Sequence, residues 1–262
     1  MEGDTLTNRT THSRFPRRTR PLAHSLALCL AALLSGAPTN LVAGPTTPFH
    51  APQAVLPAPL LVGDETVSLI SGLIGIERDL LLGQLFLQDG MVSAEGSHFT
   101  HPRHDNFPAI KDGLAAAGAP DLEPLLIALE QAAEKDAVNK AYTGVLSGLQ
   151  QARVALQPTE QDIMGAVIQT VEAAAAILDP SGTTEVIAYQ EAWGLLMVAR
   201  SQLDVLASSS DPAIKTSASE MAVAFDDVIL FAPDPKASAP VPFDPALVTQ
   251  LLGTLKGQAA SI

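Results

Sequence analysis

The sequence predicts an all-α protein, a seven- to eight-helix bundle built as two packed four-helix halves. Three observations predict it. Apolar residues recur at three- and four-residue spacing through most of the chain after residue 64. No convincing alternating segment of the strand type appears beside them. Short stretches with Pro, Gly and Asp separate the periodic runs, at lengths that suit neighbouring antiparallel helices. The 262 residues are 47% apolar and 4% aromatic, enough to bury a sizeable core.

The chain divides into residues 1–43, 44–63 and 64–262, the last with halves 64–157 and 158–262. In the first part, Arg9, Arg14, Arg17, Arg18 and Arg20 precede an apolar run from Leu22 to Leu34, and small residues follow to Ala43. A basic head, a short apolar body and a small-residue exit describe a secretory signal peptide cleaved near Ala43. The run is short for a membrane anchor, the competing interpretation. Cys29, the only cysteine, lies inside it, preceded by Leu28 rather than the small residue that lipidation favours. Cleavage would leave no cysteine, hence no disulfide and no thiolate ligand. Residues 45–62 hold five Pro and no charge, which reads as an extended linker.

Charge narrows the partners. There are 15 Lys+Arg against 28 Asp+Glu, a net charge of −13, and loss of residues 1–43 would make it −16. Such a body lacks the clustered cations that nucleic acid requires. No membrane span is expected after signal removal.

The first helix is expected from Glu65 to Gln88, with Val67, Ile70, Leu73, Ile74, Leu81 and Leu85 as its buried stripe. Glu77, Arg78 and Asp79 at its middle exclude a membrane span, each costing about 2.5–3.5 kcal/mol at a bilayer centre. A short helix over Met91–Thr100 should break at Pro102, and Asn106–Ala117 should follow. Asp121–Lys135 and Asp136–Leu156 come next, the latter with Val138, Ala141, Val145, Leu149 and Val154 inward. Pro158-Thr159 opens Glu160–Leu178, and the Asp179–Gly182 turn leads to a long helix capped by Thr183 or Thr184. Pro212–Phe231, a Pro-rich loop and Ala246–Ala260 complete the chain.

Chemistry concentrates at His98, His101 and His104, three imidazoles at spacing three, with Pro102 turning the chain between them. Imidazole suits zinc, copper and iron, which are the expected cofactor ions, with binding that weakens as pH falls through about 6.5. The competing interpretation is a solvated polar loop. Glu77, on the apolar stripe, is the carboxylate expected to join these histidines, or else to pair with a buried Arg or Lys, because a buried carboxylate needs a partner. Glu95 and Asp105 are further candidate ligands. Tyr189 and Glu191 are polar candidates beside Trp193, or else plain packing with a solvated edge. Two Glu-x-x-His motifs would mark a di-iron bundle, and only Glu95–His98 occurs. No Walker loop, GxSxG, HExxH or CxxCH is present, so no catalytic residue is assigned.

The run Gly72-Leu73-Ile74-Gly75-Ile76-Glu77, the string His98-Phe99-Thr100-His101-Pro102 and the segment Ala188-Tyr189-Gln190-Glu191 resemble exported bacterial helical proteins, themselves similar to imelysin-like periplasmic proteins. The resemblance spans residues 64–208. It implies a double four-helix bundle, a periplasmic location and an association with iron acquisition. The family's GxHxxE motif is absent: between Gly72 and Glu77, Ile74 stands where the histidine belongs, so no ligand is carried over. The leading expectation is an exported, non-enzymatic bundle that binds a transition metal or takes part in metal acquisition. A scaffold or interaction protein with a periplasmic partner and no metal is the alternative, and an imelysin-type peptidase the third.

Overall fold

The computed structural model describes residues 63–88 and 98–262. The expected signal peptide, Cys29, the expected Pro-rich linker apart from Gly63, Glu95 and most of the helix expected over Met91–Thr100 lie outside the described residues. Eight α-helices occur among the described residues, with almost no strand, as the periodicity leads one to expect.

The first helix, α1, spans Gly63–Gln88. Its expected stripe is widened into a fully enclosed middle, since every residue from Leu73 to Leu80 is buried. Position explains this: α1 is packed on several sides at once, by the helices Phe107–Ala116, Lys135–Leu156, Glu160–Ile177 and Val186–Leu206. Three consecutive ionisable residues, Glu77, Arg78 and Asp79, are therefore all buried. At 100° per residue they point in three directions, and each must find its own partner.

His98–Thr100 makes a 3₁₀ turn, Pro102–Asn106 a π-helical turn, and Phe107–Ala116 the helix α2. Of the two places open to Pro102, the end of one helix or the first turn of the next, it takes the second. Proline there occupies the first position of the π turn, which tolerates the missing amide proton. Helix α3 covers only Glu123–Glu130, shorter at both ends than Asp121–Lys135. Asp121 stays outside it and accepts the Glu123 amide at 3.0 Å.

Helix α4, Lys135–Leu156, ends on Gln157 in the left-handed region at φ 47°. Val154, expected inward, is 70% exposed, while Ala152 and Leu156 take the buried positions. Helix α5, Glu160–Ile177, begins with a capping box: Thr159 Oγ1 accepts the Asp162 amide at 3.1 Å and Asp162 Oδ2 accepts the Thr159 amide at 2.9 Å.

Helix α6 spans Val186–Leu206, and neither Thr183 nor Thr184 caps it; Glu185 holds that position without a side-chain bond. The two threonines form a short strand, β1, antiparallel to β2 at Val241–Pro242. Thr184 Oγ1 instead accepts the Asp179 amide at 2.9 Å, closing the turn before it. Helices α7, Pro212–Phe231, and α8, Pro245–Ala259, start alike. Asp211 and Asp244 accept the amides of Ala213 and Ala246, each with proline at the first helical positions.

Apolar residues gather into two clusters. One joins α1 to α2, α3 and α4; the other joins α5 to α6, α7, α8 and the Val241–Phe243 segment. Ile163 on α5 borders both. Helices α5 and α6 also lie along α1, so the two cores share one wall. No described helix is long and apolar enough to cross a membrane.

Close approach of the 98–106 segment to α1 depends on small residues. A Cβ at Gly83 would lie 2.5–2.7 Å from the ring of Phe99, which is 2% exposed and has no free space to move into. Gly83→Ala should therefore destabilise the fold by about 1–3 kcal/mol despite alanine's better helix propensity. Gly144→Ala on α4, whose new methyl would meet only Leu125 at 3.8 Å, should be neutral or mildly stabilising. Urea midpoints of the two variants measure the contrast.

Candidate metal centre

Asp79 on α1, His98 on the 3₁₀ turn and His101 just before the π turn converge, each offering a ligand atom within 4.8 Å of the others. The 3₁₀ and π turns account for this local geometry: they place two imidazoles three residues apart over the same point on α1. The rings meet edge to face, with centroids 4.9 Å apart, and Phe86 stacks on the other side of His98 at 5.6 Å.

Asp79 is fully buried and strongly held. Its Oδ1 accepts Arg78 Nε at 3.0 Å and a second guanidinium nitrogen at 2.8 Å; its Oδ2 accepts Asn106 Nδ2 at 2.9 Å. Gly75 leaves room for Asn106, since a Cβ there would sit 2.5 Å from its amide oxygen. Gly194 on α6 does the same for the Arg78 stem, at 2.7 Å from Cγ. Burial nevertheless pushes the Asp79 carboxyl up to about 7, against the pull of Arg78, with the negative charges of Glu191 and Asp105 adding to the rise.

His98 is lowered to about 4, first by burial and then by His101, with Arg78 acting the same way. It is therefore neutral at neutral pH, the form that binds metals. Its Nε2 lies 3.4 Å from Gln190 Oε1, and Gln190 Nε2 donates to the Pro235 carbonyl at 2.9 Å. Two imidazole nitrogens, His98 Nδ1 and His101 Nδ1, are buried with no hydrogen-bond partner. His101 Nδ1 stands 3.9 Å from Asp79 Oδ1, beyond hydrogen-bonding reach, and the His101 side chain is 34% exposed. The cluster thus meets solvent on the His101 side.

The other expected ligands go elsewhere. Glu77 does not reach the histidines: Arg153 of α4 clamps it through both guanidinium nitrogens, one of them 2.9 Å from Oε2. A carboxylate occupied by a buried cation is a poor ligand, and the two residues form a structural pair. His104 turns outward, with Nε2 3.1 Å from Glu130 Oε1. Arg103 bonds the same carboxylate at 2.5 Å. These hydrogen bonds, that of Arg103 first, hold Glu130 down at about 2. Pro102 is the buried residue of the π turn, and His104, two positions on, lies on its exposed side.

Asp105 is exposed and acts on Asp79 only through its charge. Half-buried Glu191 also acts at a distance. Tyr189 is a core residue whose hydroxyl donates to the Pro233 carbonyl at 2.7 Å while its ring meets Phe243 edge to face. Burial, with Asp234 nearby, raises its phenol above the ordinary value.

Sequence reasoning missed Asp79, Asn106 and Gln190. A signal was present for the first. Asp79 is one of three consecutive ionisable residues in an apolar helix, and of those three the apolar stripe singles out Glu77. Asn106 and Gln190 are reached only through the fold. Comparisons with protein-family models, with curated proteins and with solved structures find no match.

Proposed function

We propose that this chain is an exported helical protein that binds a first-row transition metal through Asp79, His98 and His101. The observation that carries the reading is the pair of buried, partnerless imidazole nitrogens beside a buried carboxylate. Buried polar nitrogens without partners are uncommon, and a metal would satisfy both at once. Two histidines and one carboxylate suit zinc or iron(II), with open positions left for water or a carried ligand. Around zinc, tetrahedral donors lie about 3.4 Å apart, so the three side chains must draw in from their present spacing. The basic and apolar N-terminal segment supports export, and the resemblance described above supports a role in metal acquisition in the periplasm.

One observation favours the second reading, a scaffold or interaction protein with no metal. Arg78 already neutralises Asp79 Oδ1, and a cation entering there must displace or share that contact. A buried polar network of this kind can also serve only to specify the packing of α1.

Calorimetric titration of zinc, copper(II) and iron(II) into the wild type and a His98→Ala/His101→Ala variant separates the two. The metal reading requires one ion per wild-type chain and at least about 100-fold weaker binding by the variant. Equal binding by both proteins, or none by either, leaves the scaffold reading. Binding should weaken as pH falls below about 7, where a proton competes for Asp79.

A further inference from the structure

The structure carries an inference about a residue that touches no metal. We propose that Gln190 is a positioning residue: anchored on the Pro235 carbonyl, it holds His98 in the Nε2–H tautomer and leaves Nδ1 as the bare, ligand-competent nitrogen. Its consequence for affinity rests on the metal reading above, while the tautomer itself does not.

Donors and acceptors fix the orientation of the Gln190 amide. The Pro235 carbonyl can only accept, so the side-chain amide nitrogen of Gln190 must face it, at 2.9 Å. That orientation leaves Gln190 Oε1, an acceptor, facing His98 Nε2 at 3.4 Å. The stable arrangement puts the proton on Nε2, and in a neutral imidazole the other nitrogen then carries a lone pair. That nitrogen, Nδ1, is the buried atom with no partner. Gln190 is itself 7% exposed and lies one turn from Gly194, against which Arg78 packs. Tyr189 fastens the same loop at Pro233, so adjacent residues of α6 fix the carbonyl that fixes the amide. Outer partners of this kind commonly set the tautomer of a ligating histidine.

The test uses the full chain labelled with ¹⁵N, metal-free and at neutral pH. His98 resonances are assigned by their loss in His98→Gln. Long-range ¹H–¹⁵N spectra should show a pyrrole-type Nε2 and a pyridine-type Nδ1 in the wild type. Gln190→Glu keeps an acceptor opposite Nε2 but loses the donor to the Pro235 carbonyl, so it should keep the proton on Nε2 while loosening the anchor. Gln190→Leu removes the acceptor and should move both nitrogens toward averaged or reversed values while the remaining histidine signals stay in place. In zinc titrations the Leu variant should bind about 10- to 100-fold more weakly than wild type, with the Glu variant between the two. A wild-type spectrum with Nδ1 protonated, or an unchanged pattern in Gln190→Leu, overturns the proposal. Wild-type protein that shows the expected tautomer but takes up no zinc supports the role of Gln190 and overturns the metal reading instead.

Discussion

Glu77→Gln should lower stability by about 3–5 kcal/mol. Glu77 is 6% exposed and faces Arg153, whose side chain is 15% exposed, with both guanidinium nitrogens on the carboxylate. Removing the negative partner leaves a guanidinium buried in an apolar interior without a counter-ion, and that penalty exceeds what the intact pair contributes. Arg153 is held above its ordinary value: burial opposes its charge, but the Coulombic pull and hydrogen bonds of Glu77 outweigh it. With Glu77 gone only burial remains, but a guanidinium does not deprotonate in proteins, so Arg153 stays charged. The Glu77→Met/Arg153→Met double variant should recover most of the loss, because a hydrophobic replacement of both partners avoids desolvating either charge. Urea unfolding of the two single variants and the double closes the cycle. A single variant with an unchanged midpoint would mean that the pair is not buried in solution.

Asp79→Asn and His98→Gln should reverse each other's pH dependence. The Asp79 carboxyl is raised in the folded state from 3.8 to about 7, chiefly by burial. The folded chain therefore holds a proton that the unfolded chain has released, and stability from this group is lost as pH rises from about 4 to 7. His98 is lowered from 6.5 to about 4, again chiefly by burial. The unfolded chain protonates first, and stability from this group is lost as pH falls from about 6.5 to 4. In the wild type the two slopes oppose each other across that window. With Asp79 replaced, only the His98 slope remains and acid destabilises; with His98 replaced, acid stabilises. Each slope approaches about 1.4 kcal/mol per pH unit, or about 3 kcal/mol over the window. Neither residue figures among the causes of the other's shift, so removing one leaves the other in place. Unfolding free energies at pH 5, 6 and 7 with chelator present provide the measurement. Parallel slopes for the two variants would contradict it.

The all-helical fold was legible because 3–4 spacing survives along every helix that has a solvent face. The middle of α1 was less so: a helix enclosed on all sides has no polar face to set its phase, and its stripe read as one-sided. The histidine string was legible as chemistry but not as geometry. Spacing three places His98, His101 and His104 together only on a regular helix, and the 3₁₀ and π turns send His104 to Glu130 instead. Asp79 escaped notice because partner choice along Glu77-Arg78-Asp79 depends on which helix packs against each direction. Gln190, 92 residues from His98, could be found only in the folded chain.

The central place of α1 also governs the order in which the molecule can be made. This helix emerges early in synthesis, yet Ser71 meets Thr170 across a separation of 99 residues and Glu77 waits for Arg153 across 76. At synthesis rates of about 5–20 residues per second, α1 spends roughly 5–20 s without the walls that enclose it. Local contacts with α2 can form first; closure against α5 and α6 carries the entropy of long loops and comes late. Until then an apolar helix with three charges at its waist stands open to water, a nascent chain well suited to capture by a holding chaperone.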